Sequence, residues 1–231
     1  MDIQLDRITH LTFDCYGTLI DWETGILRAL RSALDPHGVK AAPERLLQLY
    51  VVNEVRLEAQ DWRPYRLVLG ETVSFIGQEL GVILSPADRD RFVESLPAWP
   101  PFPDTVAALR RLGKRFRLVI LSNIDDALFA QTARQLGVSF HDVITAEQVR
   151  SYKPGEAHFQ EALRRLKVPA GNILHVAQSL YHDHVPARRL GFRTAWIERP
   201  SLLRATGLAP SATVETDLKF SSLADLADQL E

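Results

Sequence analysis

From residue 100 onward, short apolar runs alternate with helical patterns, and this alternation constrains the fold more than any other feature of the chain. The runs are "FRLVILS" (116–122), "DVIT" (142–145), "NILHVAQ" (172–178) and "RTAWIE" (193–198), with a matching run, "HLTFDC" (10–15), near the start. Runs of Val, Ile, Leu and Phe without polar alternation suit strands buried on both faces. Between them lie "DTVAALRRLGK", "DALFAQTARQLG", "EAHFQEALRRLK" and "HDHVPARRLG", with apolar residues near i, i+3 and i+4. Three of these reach a glycine at or near the end. Strand–helix–strand repetition predicts an α/β fold: a doubly wound, Rossmann-like parallel sheet with helices on both faces. The final "SSLADLADQLE" reads as a closing helix capped by Ser221 or Ser222.

One segment breaks the rhythm. From about residue 23 to 99 the patterns are helical only, clearest in "PERLLQLYVVNEVRLEAQ" (43–60), "YRLVLGETVSFIGQELG" (65–81) and "PADRDRFVESL" (86–96). "PAWPPFPD" (97–104) then stops helix with four prolines in eight residues. The expected organisation is an α/β core from residues 1–22 and 100–231, with a helical cap, 23–99, inserted after the first strand.

Composition narrows the function. A formal charge of −2 gives no footprint for nucleic acid or an anionic membrane. No run of about 18 apolar residues suggests a membrane span, and "MDIQLDRITH" lacks the pattern of a signal peptide. The single cysteine, Cys15, excludes an internal disulfide and reads as a small buried hydrophobe. The expectation is a cytoplasmic monomer or homodimer acting on a small molecule.

In an open α/β sheet, ligands bind outside the carboxyl ends of the strands. The polar groups expected there are Asp14, Ser122, Asn123 and the segment 177–183, with Lys153 arriving from the connection "SYKPGEAHF". Each has an ordinary reading: Asp14 as a turn residue, Ser122 as a strand-end cap, Asn123 as a turn former, Lys153 as a solvated lysine, Asp183 as a helix N-terminal charge. Their joint placement at successive strand ends is poorly explained by five accidents. A carboxylate beside a lysine stays ionised, and an ionised, partly desolvated carboxylate is a competent nucleophile.

The order Asp14-x-Tyr16-Gly17-Thr18, Ser122-Asn123, Lys153-Pro154 and Asp183 resembles the haloacid dehalogenase superfamily. "FDCYGTLID" resembles its 2-haloacid dehalogenase branch. The resemblance implies that Asp14 is the nucleophile and that Thr18 orients it. It implies that Ser122 binds the substrate carboxylate, Asn123 holds the leaving halide, Lys153 balances charge, and Asp183 positions Lys153 or the hydrolytic water. Tyr16 and Ser179 would border the substrate. The branch also carries a cap arginine for the anion; Arg56 is the leading candidate, with Arg63 and Arg66 behind it.

Two features separate dehalogenase from phosphatase. Phosphatases of this superfamily carry an aspartate two residues after the nucleophile as general acid–base; here the residue is Tyr16, a poor acid at neutral pH, and a halide needs no proton to leave. They also bind Mg²⁺ through an acidic last motif, where this chain has "AQSLYHD" with only Asp183 acidic. No cofactor is expected, and Mg²⁺ enters only with the phosphatase alternative. Phe159, where the branch usually has tyrosine, and Ala177-Gln178-Ser179, where it has serines and asparagine, keep a phosphatase and a weakly active small-molecule binder open. His182 is a possible base.

Overall fold

The computed structural model describes residues 5–205 and 212–231. The first four residues of the N-terminal stretch discussed above lie outside them. β1 (His10–Phe13) is followed by α1 (Trp22–Leu34), α2 (Pro43–Glu58), α3 (Tyr65–Glu79) and α4 (Pro86–Ser95). The remainder runs α5 (Thr105–Leu112), β2 (Arg117–Ser122), α6 (Asp126–Leu136), β3 (Asp142–Thr145), α7 (Ala146–Val149), α8 (Ala157–Leu166), β4 (Ile173–Ala177), α9 (Val185–Arg189), β5 (Arg193–Ile197), α10 (Leu202–Ala205), β6 (Leu218–Phe220) and α11 (Leu223–Leu230). Among the described residues the strands form one sheet in the order β3-β2-β1-β4-β5-β6, parallel throughout.

The alternation of side chains across each strand explains why the runs are apolar without a break. Leu11, Phe13, Leu118, Ile120, Leu174 and Val176 enter one hydrophobic layer. Val119, Leu121 and Ile173 point the other way, into a second layer with Phe159, Ala162 and Phe192. Both faces are dry, as a parallel sheet requires. On the second face two polar residues, Thr12 and His175, stand in register on neighbouring strands and are fully buried.

α1 to α4 occupy the segment between β1 and α5. The chain leaves and re-enters the sheet side by side: the Asp21 N–H donates to Pro100 O at 2.8 Å, and the Phe102 N–H to Leu19 O at 3.0 Å. The proline-rich stretch thus forms the return limb of a two-stranded connection. The Ser222 hydroxyl caps α11 by accepting from the Asp225 N–H. β6 has no counterpart in the sequence reading, because its three residues, Leu-Lys-Phe, leave no fully buried position to mark them.

Candidate active site

β1 lies in the middle of the sheet, so its end lies centrally along the carboxyl edge. Asp14 is the next residue, fixed to β4 by its N–H donating to Val176 O at 3.2 Å. Gly17 then turns the chain with φ +97°, a conformation natural to glycine. The turn brings Thr18 back under Asp14. Its Oγ1 donates to Asp14 Oδ2 at 2.7 Å and accepts from the Gln178 N–H at 3.0 Å, so one hydroxyl ties the Asp14 loop to the loop after β4.

Lys153 arrives from the loop after α7, where the Lys153–Pro154 peptide is cis. Asn123 holds that loop from the end of β2. Its Oδ1 accepts from the Lys153 N–H at 2.7 Å, and its Nδ2 donates to Lys153 O at 3.1 Å. The ammonium donates to Asp14 Oδ1 at 2.9 Å, Asp183 Oδ1 at 2.6 Å and Leu121 O at 2.9 Å. All three of its protons are used. His175 completes the set: Nε2 lies 3.1 Å from Asp183 Oδ1, and Nδ1 2.9 Å from Thr12 Oγ1.

Burial and charge oppose each other here. Burial alone would strip Lys153 of its proton; Asp14 and Asp183 outweigh it and hold the ammonium above its usual range. Burial also opposes ionisation of Asp183, but Lys153 and His175 together hold it well below the ordinary carboxylate range. Asp14 goes the other way: burial raises it, Lys153 and Thr18 pull it down, and Asp183 adds to the rise. Asp14 is therefore the more basic carboxylate of the two.

Asp14, Tyr16, Ser122, Asn123, Lys153, Ser179 and Asp183 line one pocket of about 360 Å³. Thr18 supports it from below. Tyr16 contributes its ring, edge-on to Trp99, while its hydroxyl is bonded to Thr132 Oγ1 at 2.8 Å. Burial raises that hydroxyl well above the usual phenol range, which makes it a poor proton donor at neutral pH. Ser122 Oγ is buried and has no hydrogen-bond partner among the described residues. Ser179 Oγ caps the turn above it by accepting from the His182 N–H, and lies 3.0 Å from His182 Nδ1. Burial lowers His182, also in the pocket wall, to about 4.

The expected cap cation is not brought to this pocket. Arg56 is exposed and its guanidinium lies over the ring of Phe75, 4.4 Å from the centroid. Arg63 is engaged by Glu71 and Gln60, and Arg66 is exposed. The reason is rotational. Successive helix residues turn by about 100°, so Arg56 faces away from the pocket while Glu54 and Glu58, two residues to either side, face into it. Sequence reasoning missed both glutamates and the role of His175. The available signals were Tyr50, Glu54 and Glu58 at i, i+4 and i+8, and a polar residue on each of two strands otherwise buried.

The donor set does not fit a resident Mg²⁺. Asp14 and Asp183 share one ammonium, and the neighbouring position carries neutral Gln178. Among the described residues no three His, Cys, Asp or Glu side chains converge as metal ligands.

An aspartate after a central parallel strand, gripped by threonine and lysine at the mouth of a helix-roofed pocket, defines a hydrolase of the haloacid dehalogenase superfamily. The sequence profile of the haloacid dehalogenase-like hydrolases matches residues 8–183, and the chain belongs to that family. Within it the chain stands near the 2-haloacid dehalogenases. It is 25% identical to (S)-2-haloacid dehalogenase 1 of Pseudomonas sp. strain CBS-3, over 98% of each chain. A crystal structure of an L-2-haloacid dehalogenase superposes with a TM-score of 0.82 at 25% identity, covering 96% of this chain and 98% of the other. A phosphoglycolate phosphatase of Neisseria gonorrhoeae is 24% identical over 83% of this chain and 80% of its own.

Proposed function

We propose that the protein is a hydrolytic dehalogenase that works through an ester of Asp14. The observation that carries this is the double grip on Asp14: Lys153 on Oδ1 and Thr18 on Oδ2 hold in one orientation a carboxylate that lines the pocket. In the first step an Asp14 oxygen forms a bond to the halogen-bearing carbon, and the halide leaves with the bonding electrons. In the second step water adds to Cγ of the ester, the alkoxide oxygen leaves with the product, and the Asp14 carboxylate is restored. The net change is R–X plus H₂O to R–OH plus a proton and X⁻. Asp183 keeps Lys153 in place through both steps, and His182, neutral above about pH 4, is the proposed acceptor for the water's proton.

The bonded hydroxyl of Tyr16 supports this reading over phosphate hydrolysis, since no acid stands two residues after Asp14 to protonate an alcohol. The helices of 23–99 are proposed as a cap that limits water around the nucleophile. The short 2-haloalkanoic acids named for the relatives are the first substrates to test.

A single turnover in ¹⁸O-water decides the mechanism. Label is expected in Asp14, with the first product unlabelled; label directly in the first product would overturn the ester. Halide release should survive EDTA. Activity that vanishes with EDTA and returns as phosphate release with Mg²⁺ would select the phosphatase reading.

A further inference from the structure

We propose that the cap half of the pocket takes a small organic cation, an alkylammonium group on the substrate, where a 2-haloacid would present its carboxylate. The proposal deepens the dehalogenase reading and rests on it for the reaction at Asp14.

The first observation is the chemistry of the wall. Glu54 and Glu58 of α2 face the cavity. Glu54 Oε1 accepts from the Tyr50 hydroxyl at 2.8 Å and the Tyr65 hydroxyl at 2.5 Å, which fixes the carboxyl against the aromatic wall. Around it stand Trp22, Tyr50, Tyr65 and Trp99, with the Trp22 and Tyr50 ring centroids 6.1 Å apart. Aromatic faces next to carboxyl groups are the means by which proteins hold quaternary and tertiary ammonium ions.

The second observation is what an anion would find. Among the described residues of the wall the basic side chains are Lys153 and His182. Lys153 has spent its three protons on Asp14, Asp183 and Leu121 O. His182 is neutral near pH 7. The catalytic set of Asp14, Asp183 and Lys153 already carries a charge of −1, which repels a carboxylate and attracts an ammonium.

The third observation is independent of the glutamates. Ser122, 1% exposed, lines the same pocket, and its buried Oγ has no hydrogen-bond partner among the described residues. It is a neutral donor placed beside Asp14 rather than at the cap end. It can steady the departing halide or a neutral oxygen of the substrate while the cation lies against Glu54 and Glu58. Burial raises both glutamates above the ordinary carboxyl range, Glu58 further through Glu54 beside it, and a cation lying against them would oppose that rise.

Three probes of one shape read the subsite without any chemistry at Asp14: choline, its neutral isostere 3,3-dimethylbutan-1-ol, and 3,3-dimethylbutanoate. Trp22, Trp99 and Trp196 line the cavity, so calorimetry and tryptophan fluorescence both report binding. The expected order is choline tightest, the alcohol at least tenfold weaker, and the acid weakest. Glu58→Gln and Glu54→Gln should each shrink the choline advantage while leaving the alcohol unchanged, with thermal melts verifying folding. Equal affinity for the three probes, or tightest binding of the acid, would overturn the proposal. Halide release is measured in parallel from (2-chloroethyl)trimethylammonium and 2-chloropropionate. Choline preference without halide release from either compound sinks the dehalogenase reading and leaves the cation subsite standing. Release from 2-chloropropionate with no choline preference does the reverse.

Discussion

Burial holds the proton on Glu58 well above the usual carboxyl range, aided by Glu54 and opposed by Lys153 and a hydrogen bond from Asn123. Such a carboxyl has a definite sign in the pH dependence of stability. The folded chain keeps a proton that the unfolded chain loses near the ordinary glutamate value of about 4.3. Its contribution is fully present below that value and is lost as pH rises through the folded pKa. His158, His182 and His184 have the opposite sign: burial lowers them to about 3, 4 and 4, so the stability they contribute is present above about 6.5 and is lost as pH falls. At pH 8 the histidine contributions are intact and the Glu58 contribution is diminished. Glu58→Gln, isosteric and never ionised, is therefore expected to melt higher than wild type at pH 8 and no higher at pH 4. Parallel melting curves across that range would contradict the assignment. The placement of Asp14 and Asp183 at the pocket was legible from the sequence because each lies in the loop that follows a buried strand. Glu58 was not, because an acidic residue in a helical pattern looks like a solvated face until the helix is set against something.

At the scale of the element the sequence is read well where burial is complete on both sides, as in β1, β2 and β4. It is read poorly where an element's orientation depends on a partner. The patterns at 43–60, 65–81 and 86–96 correspond to α2, α3 and α4 within two residues at their ends, yet periodicity alone does not say which polar face of α2 meets the pocket. α1 shows the same dependence. Gly25, inside this helix, costs about 1 kcal/mol of helix propensity relative to alanine. It stands there because a Cβ would lie 2.2 Å from Trp99 Cγ. Trp99 lies on the return limb to the sheet and walls the pocket, so α1, the connection and the site share one contact. Gly25→Ala is expected to destabilise the fold by about 1–3 kcal/mol through overpacking, despite the better propensity. It should also shift the tryptophan emission, because Trp99 must move. A stability gain from this substitution would mean that the packing is looser than the geometry states.

At the scale of the whole molecule, one residue after β2 ties α3, from the helices of 23–99, to the α/β part of the chain. Asp125, 6% exposed, follows the loop at the end of β2 and immediately precedes α6. It does not cap α6. Its Oδ1 accepts from the Tyr65 N–H at 2.7 Å and its Oδ2 from the Arg66 N–H at 2.8 Å. Those are the first N–H groups of α3, whose own preceding residue, Pro64, supplies no side-chain cap. A helix on one side of the pocket is thus capped by a carboxylate from the other. The Tyr152 hydroxyl adds a second tie by donating to Arg63 O at 2.8 Å. Tyr65 carries the consequence into the site, since its hydroxyl donates to Glu54. Sequence reasoning stopped at Ser122-Asn123 because Asp125 completes no local motif; its partners are about sixty residues away and visible only once the chain is folded. Asp125→Ala should cost about 1–2 kcal/mol, the usual loss for an N-cap. Hydrogen exchange at the Tyr65 and Arg66 amides should accelerate, while amides of β1 and β4 keep their protection apart from the uniform effect of lower stability. Choline should bind roughly tenfold more weakly if most of that loss is expressed as a loosened α3, since 1.4 kcal/mol is a factor of ten. Unchanged exchange at Tyr65 and Arg66 would mean that α3 is held by its apolar face alone and that Asp125 is not what fixes the roof over Asp14.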